Sequence, residues 1–400
     1  MLTFEAARAL TLADLSPLAA ERVPASAAVG RVLADDVLAR GPQPAFDHSA
    51  MDGYAVRAGD LAAPGSVLSV VGESRTGGAA PLPLAPGTAM RIFTGAMVPE
   101  GADAVVMQEE VTREGDAARF AKSPRVGDHL RRRGEDVRAG DAVLPRGTRV
   151  SAFHVALLAS VEATLVSVAR RPVVAILSTG DELRDAGSPA RPGSVVDANG
   201  PGLAALVALC GGLPRALPFA RDDRAATRAA VEGALAGSDL VLTVGGVSVG
   251  DHDVVRAALA DAGVALDFWK VAIKPGKPLC VGRAGSTRVL GLPGNPSSAA
   301  LTFVLFAAPL LRAMQGDRVI APPALEAALA ADVRHAPGRA EFVRVTLDET
   351  AAPPLAYPLG NQASGAVTSF AWADALALLP AESGGLAAGS RVRCWRLRDV

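Results

Sequence analysis

Residues 286–306 read STRVLGLPGNPSSAALTFVLF, and this stretch decides the fold class. TRVLGL is a short apolar run of strand type. PGNP is a turn. SSAALTFVLF has the length and composition of a buried helix, with Ser297 or Ser298 as its cap and Pro296 at a tolerated first-turn position. Strand, turn and helix follow one another without a linker.

The same grammar extends upstream. VVAILSTGDEL (173–183) is a buried strand followed by a polar turn. PGLAALVALCGG (201–212) and RDDRAATRAAVEGALAG (221–237) are helices with glycine stops. DLVLTVGGVSVGD (239–251) is a strand with a Gly-rich turn, and DVVRAALADAG (253–263) is a helix. Alternating elements of this length predict an α/β domain whose sheet is mostly parallel and covered by helices.

Outside this region the texture changes. Residues 4–22 have helical spacing that ends before Pro24, and 26–40 continue as helix or strand up to Gly41-Pro42. Between about 50 and 150, short apolar runs such as VLSVVG, AMRIF and DAVVMQ are punctuated by Gly and Pro, which predicts a β-rich module. Residues 151–163 return to helix. After Pro322-Pro323, EFVRVTLDE and SRVRCWRL predict a second β domain.

Composition limits the function. The chain has 400 residues, is 50% hydrophobic and carries a net charge of −1. It can bury several cores, and it lacks the basic footprint of a nucleic-acid or membrane-surface protein. Three scattered cysteines without CxxC spacing argue against a disulfide framework and a thiolate zinc site. The N-terminus has no signal-peptide pattern, and the most apolar window, 299–311, is shorter than a bilayer span. A cytoplasmic protein is expected.

In open α/β sheets ligands bind beyond the carboxyl ends of the strands. Three strands here end in unusual loops: Ser178-Thr179-Gly180-Asp181-Glu182; Gly245-Gly246-Val247-Ser248 and onward to Asp253; and Pro293-Gly294-Asn295-Pro296. Glycines let backbone N–H groups close on an anion at a helix N-terminus. Each loop alone also reads as an ordinary capped turn; three on one sheet edge point to a site. No GxxxxGK[ST] or GxGxxG occurs.

Lysine is scarce. Arginine supplies nearly all of the positive charge, yet three of the four lysines, Lys270, Lys274 and Lys277, fall in FWKVAIKPGKP. Lys274 and Lys277 each precede proline, which favours extended backbone. A compact ammonium suits a crowded anion pocket where a guanidinium fork does not fit. The three asparagines, Asn199, Asn295 and Asn361, all lie in turn-like polar segments. Asp52, Asp136, Glu182, Asp222, Asp251 and Asp253 are the acidic candidates, and carboxylates beside phosphate favour Mg²⁺ over zinc. HExxH and a Cys/His pair are both missing, and neither route to hydrolytic nucleophilic catalysis has support. The residues alone give an α/β domain that holds a phosphorylated ligand with lysines and a metal.

Taken together, FDHSAMDGYAVR, RIFTGA, RRRGED, STGDEL, GGVSVGDHD, FWKVAIKPGKP and GLPGNPSSAALTF resemble, in order and from about residue 5 onward, the molybdopterin molybdenumtransferases, the MoeA-type enzymes related to the gephyrin E domain. The resemblance implies an elongated domain from residues 1–45 and 140–170 and an inserted β-rich domain at 46–139. It places the α/β molybdopterin-binding domain at 171–321 and a C-terminal β-barrel-like domain at 322–400. It implies molybdenum insertion from molybdate into adenylylated molybdopterin, with Mg²⁺, adenylate hydrolysis and AMP release. An adenylyltransferase would donate the substrate, and the active cleft of a homodimer would be shared between subunits.

Carried over by motif, Asp52 and Thr94 come from the inserted domain, with Asp136 near its end. Glu182, Asp222 and Asp253 handle metal and adenylate. Lys270, Lys274 and Lys277 line the pterin and molybdate pocket with Pro293 and Pro296. Arg344 and Ser364 reach molybdate from the C-terminal domain. Gly245, Gly246, Ser248 and Asn295 belong to the anion-binding loops. Two positions depart from the family: His48 stands where Asn is common, and Asp251 where Glu is common. The adenylyltransferase reading lacks a use for the flanking β modules, and a scaffold reading lacks a use for the acidic and lysine set. A tungstate-using variant has the same residues.

Overall fold

The computed structural model of the protein describes residues 1–246 and 254–400. A six-stranded sheet lies at its centre. In spatial order the strands are Leu213–Ala216, Val173–Ser178, Leu240–Val244, Thr287–Leu292, Pro278–Ala284 and Ala265–Lys270. The first four are mutually parallel and the last two are antiparallel additions at one edge.

Alternation along these strands serves two cores. Val174 and Ile176 join Leu203, Val207, Leu301 and Phe306 on one face, whereas Ala175 and Leu177 join Val231, Val255 and Leu259 on the other. Both faces are therefore covered by helices, which is why the strands read as continuous apolar runs. The run from 286 onward gives the strand Thr287–Leu292 and a continuous helical stretch, Pro296–Met314, 19 residues long with a π-helical turn at Phe303–Ala307. It is longer than the 13-residue apolar window suggests, and long and apolar enough to cross a membrane. In the fold, 78% of its most apolar window is buried as a core helix. Its cap also differs from expectation. Asn295 is the cap residue, and Ser297 and Ser298 are buried inside the first turn.

The N-terminal region departs from the helical reading of 4–22. Helix Phe4–Thr11 is short, capped by Thr3 accepting from Ala6 N–H. The chain then turns at Asp14, whose φ is 53°, and continues as strand Ala20–Pro24, paired antiparallel with Leu165–Ala169. Pairing with a segment 145 residues away in sequence outweighed the local periodicity, and Pro17 ends the helical option. Residues 26–40 supply a 3₁₀ turn at Ala25–Ala27, single bridges from Val32 to Arg149 and from Leu33 to Val168, and the two-residue strand Val37–Leu38. One core joins Ala28, Leu33 and Val37 to Leu144, Leu158 and Val166, so it is built from both flanks of the intervening β module.

That module is a sheet in the order Ala104–Met107, Gly53–Val56, Thr88–Ile92, Val67–Ser74, Ala117–Phe120, Val111–Glu114. Near the C-terminus, strands Leu325–Leu329, Ala340–Asp348, Leu355–Pro358, Ala375–Leu379 and Arg391–Arg396 close into a five-stranded barrel through the pairing of 340–348 with 375–379. Phe4 anchors the N-terminal helix against both the α/β domain and the barrel, 5.8 Å from Phe306, 5.1 Å from Phe342 and 6.4 Å from Trp395 between ring centroids.

Candidate functional site

A cleft of about 580 Å³ opens at the carboxyl ends of the parallel strands Val173–Ser178, Leu240–Val244 and Thr287–Leu292. Its lining includes seven of the residues selected from sequence: Glu182, Asp222, Gly245, Gly246, Pro293, Asn295 and Pro296. Ser248 and Asp253 lie outside the described residues, as do Asp251 and His252.

Backbone geometry explains why these loops contain glycine. Gly245 has φ +88°, and a Cβ there would sit 2.8 Å from Thr179 O. A side chain would hold the first and second loops apart. Gly180 has φ +143°, and a Cβ would meet Glu182 Oε2 at 2.4 Å. The Glu182 carboxylate thus folds back over Gly180. Asp181 N–H donates to Asp222 Oδ2 at 3.4 Å, which brings the second carboxylate to the same turn. Two carboxylates beside Gly-lined loop ends form an all-oxygen donor set that fits a hard divalent cation. Among the described residues no group of three or more His, Cys, Asp or Glu is placed to hold a metal on its own. Phosphate oxygens and water would complete such a coordination shell.

Four polar cleft residues were not selected from sequence as ligands: Ser178, Thr179, Asp197 and Asn199. Asp197 is buried. Its Oδ1 accepts from the N–H groups of Asn199 and Gly200 at 2.9 and 3.0 Å, and its Oδ2 accepts from Ser178 Oγ at 3.0 Å. It satisfies the start of helix Asn199–Leu209 and fixes the cleft wall. Asn199 donates to Gly294 O at 2.7 Å, tying that helix to the third loop. The scarcity of asparagine was the available signal for this segment.

The lysine loop reaches the cleft at one end. Pro278, directly after Lys277, lines it. Lys270 is exposed at the end of the edge strand. Lys274 instead belongs to the short strand Ile273–Lys274, which adds to the C-terminal barrel alongside Ala340–Asp348. Lys274 forms an ion pair with Glu341 there.

From the barrel side, Asn295 Nδ2 donates to Ser364 Oγ at 3.0 Å, and Ser297 N–H donates to Ser364 O at 2.9 Å. Ser364 therefore sits on the cleft rim. Arg344 is 1% exposed. Its guanidinium donates to Ser369 Oγ and to the carbonyls of Asn361 and Ala363, at 3.2–3.4 Å. It holds the loop that presents Ser364. Burial lowers its pKa, opposed by the nearby Glu341 charge.

Asp52 and Thr94 are brought together on the inserted module. Thr94 donates to Asp52 Oδ1 from both N–H and Oγ1, each at 2.7 Å. Those hydrogen bonds, with the Arg91 charge, hold the Asp52 carboxyl below its usual range. Asp136 lines a different recess with Gln43, Pro44, His48, Arg131 and Glu135. Asp52 and Thr94 do not line the α/β cleft of this chain. Two charges of the arginine triplet are met locally: Arg131 pairs with Glu135 and Arg132 with Asp47, which also accepts from the Arg133 backbone N–H.

Comparison with known proteins matches this architecture from end to end. Residues 2–161 match the MoeA N-terminal region (domain I and II), 175–313 a probable molybdopterin binding domain, and 326–397 the MoeA C-terminal region (domain IV). The molybdopterin molybdenumtransferase of Haemophilus influenzae is 37% identical over 397 residues, covering 98% of both chains. The chain belongs to the molybdopterin molybdenumtransferase family. It is an enzyme of the transferase class. Molybdopterin molybdenumtransferase 2 of Mycobacterium tuberculosis is 38% identical over 94% of each chain. A solved molybdopterin biosynthesis MoeA protein of Pyrococcus horikoshii superposes with a TM-score of 0.86 at 30% identity, covering 98% of this chain and 99% of that one. The multidomain α/β plus β architecture, with its mostly parallel central sheet, is thus that of the MoeA fold.

Proposed function

We propose that this transferase inserts molybdenum from molybdate into adenylylated molybdopterin, with hydrolysis of the adenylate and release of AMP, to form molybdenum cofactor. The observation that carries the reading is the α/β cleft. Three loops that end parallel strands and two carboxylates converge on one space of about 580 Å³, with Pro278 from the end of the lysine loop on its wall. Its curated relatives are named for molybdenum transfer to molybdopterin.

In this reading the N–H groups of Gly245 and Gly246 receive the phosphate portion of the ligand. Glu182 and Asp222, with Asp253 outside the described residues, hold a divalent cation, for which Mg²⁺ is the proposed ion. When bound, it supplies charge neutralisation for the phosphoanhydride that hydrolysis cleaves. Lys270, Lys274 and Lys277 neutralise the molybdate dianion and the pterin phosphate as point charges. Ser364, held by Asn295 and by the Arg344-bonded loop, adds a hydroxyl donor. Pro293 and Pro296 stiffen the opposite wall. Protein thiolates are not required, because the dithiolene sulfurs belong to the ligand.

Asp52 and Thr94 would complete the cleft from the partner subunit of a homodimer, and Asp136 would lie near that entrance. An adenylyltransferase would hand over the substrate. The test is AMP release from adenylylated molybdopterin by the purified chain with Mg²⁺, with and without molybdate. Molybdate-dependent release supports the reading. Tight binding with no release under either condition refutes it and favours a carrier.

A further inference from the structure

Side chains from two domains meet where the lysine loop crosses to the barrel. Strands Ile273–Lys274 and Ala340–Asp348 are parallel, with Lys274 in register with Glu341. Ala340 N–H donates to Ala272 O at 2.9 Å and fixes that register. Lys274 Nζ lies 3.0 Å from Glu341 Oε1 and donates to Oε2 at 3.2 Å. Behind the carboxylate, His335 Nδ1 is 2.8 Å from Glu341 Oε2. A carboxylate oxygen paired with an ammonium accepts, so the ring proton sits on Nδ1. The row runs inward: the side chains of Lys274, Glu341 and His335 are 45%, 9% and 1% exposed.

His335 Nε2 is buried without a hydrogen-bond partner. A buried polar atom left unsatisfied is costly, and an aliphatic side chain would fill an apolar barrel at lower cost. The contribution of the ring at this place is the bond to Glu341. The same carboxylate also acts electrostatically on the buried Arg344 of the barrel.

We infer that Glu341 is a positioning residue for the oxyanion pocket, held by His335 and acting through Lys274. The inference rests on the proposed role of Lys274. An untethered lysine is a flexible four-carbon stem that loses rotamer freedom when it engages an anion. Tethering before the ligand arrives removes that cost from the binding step. An ammonium has three N–H donors, so one carboxylate leaves donor capacity for molybdate. The negative charge of Glu341 is offset by Lys274 on one side and met by the His335 N–H on the other.

The experiment measures kcat and the molybdate KM of the full chain and of Glu341→Gln, at saturating adenylylated molybdopterin, with Lys274→Ala alongside. The molybdate KM of Glu341→Gln is expected to rise about tenfold, with kcat within about twofold, and Glu341→Asp is expected to recover part of the loss. A second readout does not need turnover. The chain has only four lysines, so side-chain ¹⁵N-lysine spectra contain four ammonium signals. The one missing in Lys274→Ala is expected to move in Glu341→Gln while the other three stay.

An unchanged or lower KM, or a stationary Lys274 signal, overturns the inference. If Lys274→Ala is inactive in that case, the functional reading survives. Wild-type turnover by Lys274→Ala overturns the reading itself. Should Glu341→Gln fail to fold, His335→Asn decides by the same readouts. It is expected to raise the KM about threefold, and wild-type values there also overturn the inference.

Discussion

Asp52 accepts two hydrogen bonds on a single oxygen, Oδ1, from the N–H and the hydroxyl of Thr94, each at 2.7 Å. The two residues come from separate motifs, SAMDGYAV and RIFTGA, and the fold joins them. With its carboxyl held below the usual range, Asp52 stays ionised at lower pH than a free aspartate. A depressed folded-state value means that any stabilisation is present at neutral pH and is lost as pH falls through that value.

Thr94→Ala removes the hydroxyl bond. The Asp52 midpoint, followed by carboxyl ¹³C NMR, is expected to move up, and the acid limb of the activity profile is expected to move with it. An unmoved midpoint would separate Thr94 from the charge state of Asp52. Asp52→Asn is expected to lose activity while keeping its melting temperature, because the side chain has no buried partner to strand.

Lys274→Ala is expected to cost about 10²–10³ in kcat, the usual scale for removing one electrostatic donor at a reacting centre. The fold should survive, since the lysine side chain is nearly half exposed. Mixing Lys274→Ala with Asp52→Ala tests the shared cleft. In random heterodimers, half of the dimers carry one intact site of two, so about a quarter of wild-type activity should return. No recovery in verified heterodimers would place both residues at one intrachain site.

Gly180→Ala should act on the carboxylate rather than on the fold. The new Cβ would meet Glu182 Oε2 at 2.4 Å, and the φ of +143° is unfavourable for alanine. A higher Mg²⁺ concentration for half-maximal activity is expected, with a stability loss of about 1 kcal/mol. An unchanged Mg²⁺ dependence would remove Glu182 from the metal set.

Much of this was legible in the sequence because the signals were local. The buried strand runs, the glycine stops and the Gly-rich loop ends all act within a few residues, and seven of the selected residues meet in one cleft. Other features depend on distant partners. Residues 20–24 become a strand through pairing with 165–169. Ile273–Lys274 becomes a barrel strand only because Ala340–Asp348 offers an edge. Arg344 is buried only because the loop at 361–364 folds over it and supplies carbonyl acceptors. Asp197 was not singled out, because its bonds to a helix start and a neighbouring strand end exist only in the fold.

The cysteines provide a separate check. All three are buried, and burial pushes Cys210 up to about 11 and Cys394 up to about 12. At pH 8 both are thiols and poor nucleophiles. Iodoacetamide under native conditions is expected to leave mass and activity unchanged. Rapid alkylation with loss of activity would show a thiol at work in the site.

The central claim is that this chain places molybdenum on the pterin. Its most direct measurement incubates the purified protein with adenylylated molybdopterin, Mg²⁺ and molybdate, then adds the product to a cofactor-free molybdoenzyme. Enzyme activation that requires molybdate and accompanies AMP release is expected, slowed about 10²–10³-fold in Lys274→Ala. Activation of equal size without this protein, or AMP release whose product never activates the acceptor, would contradict it.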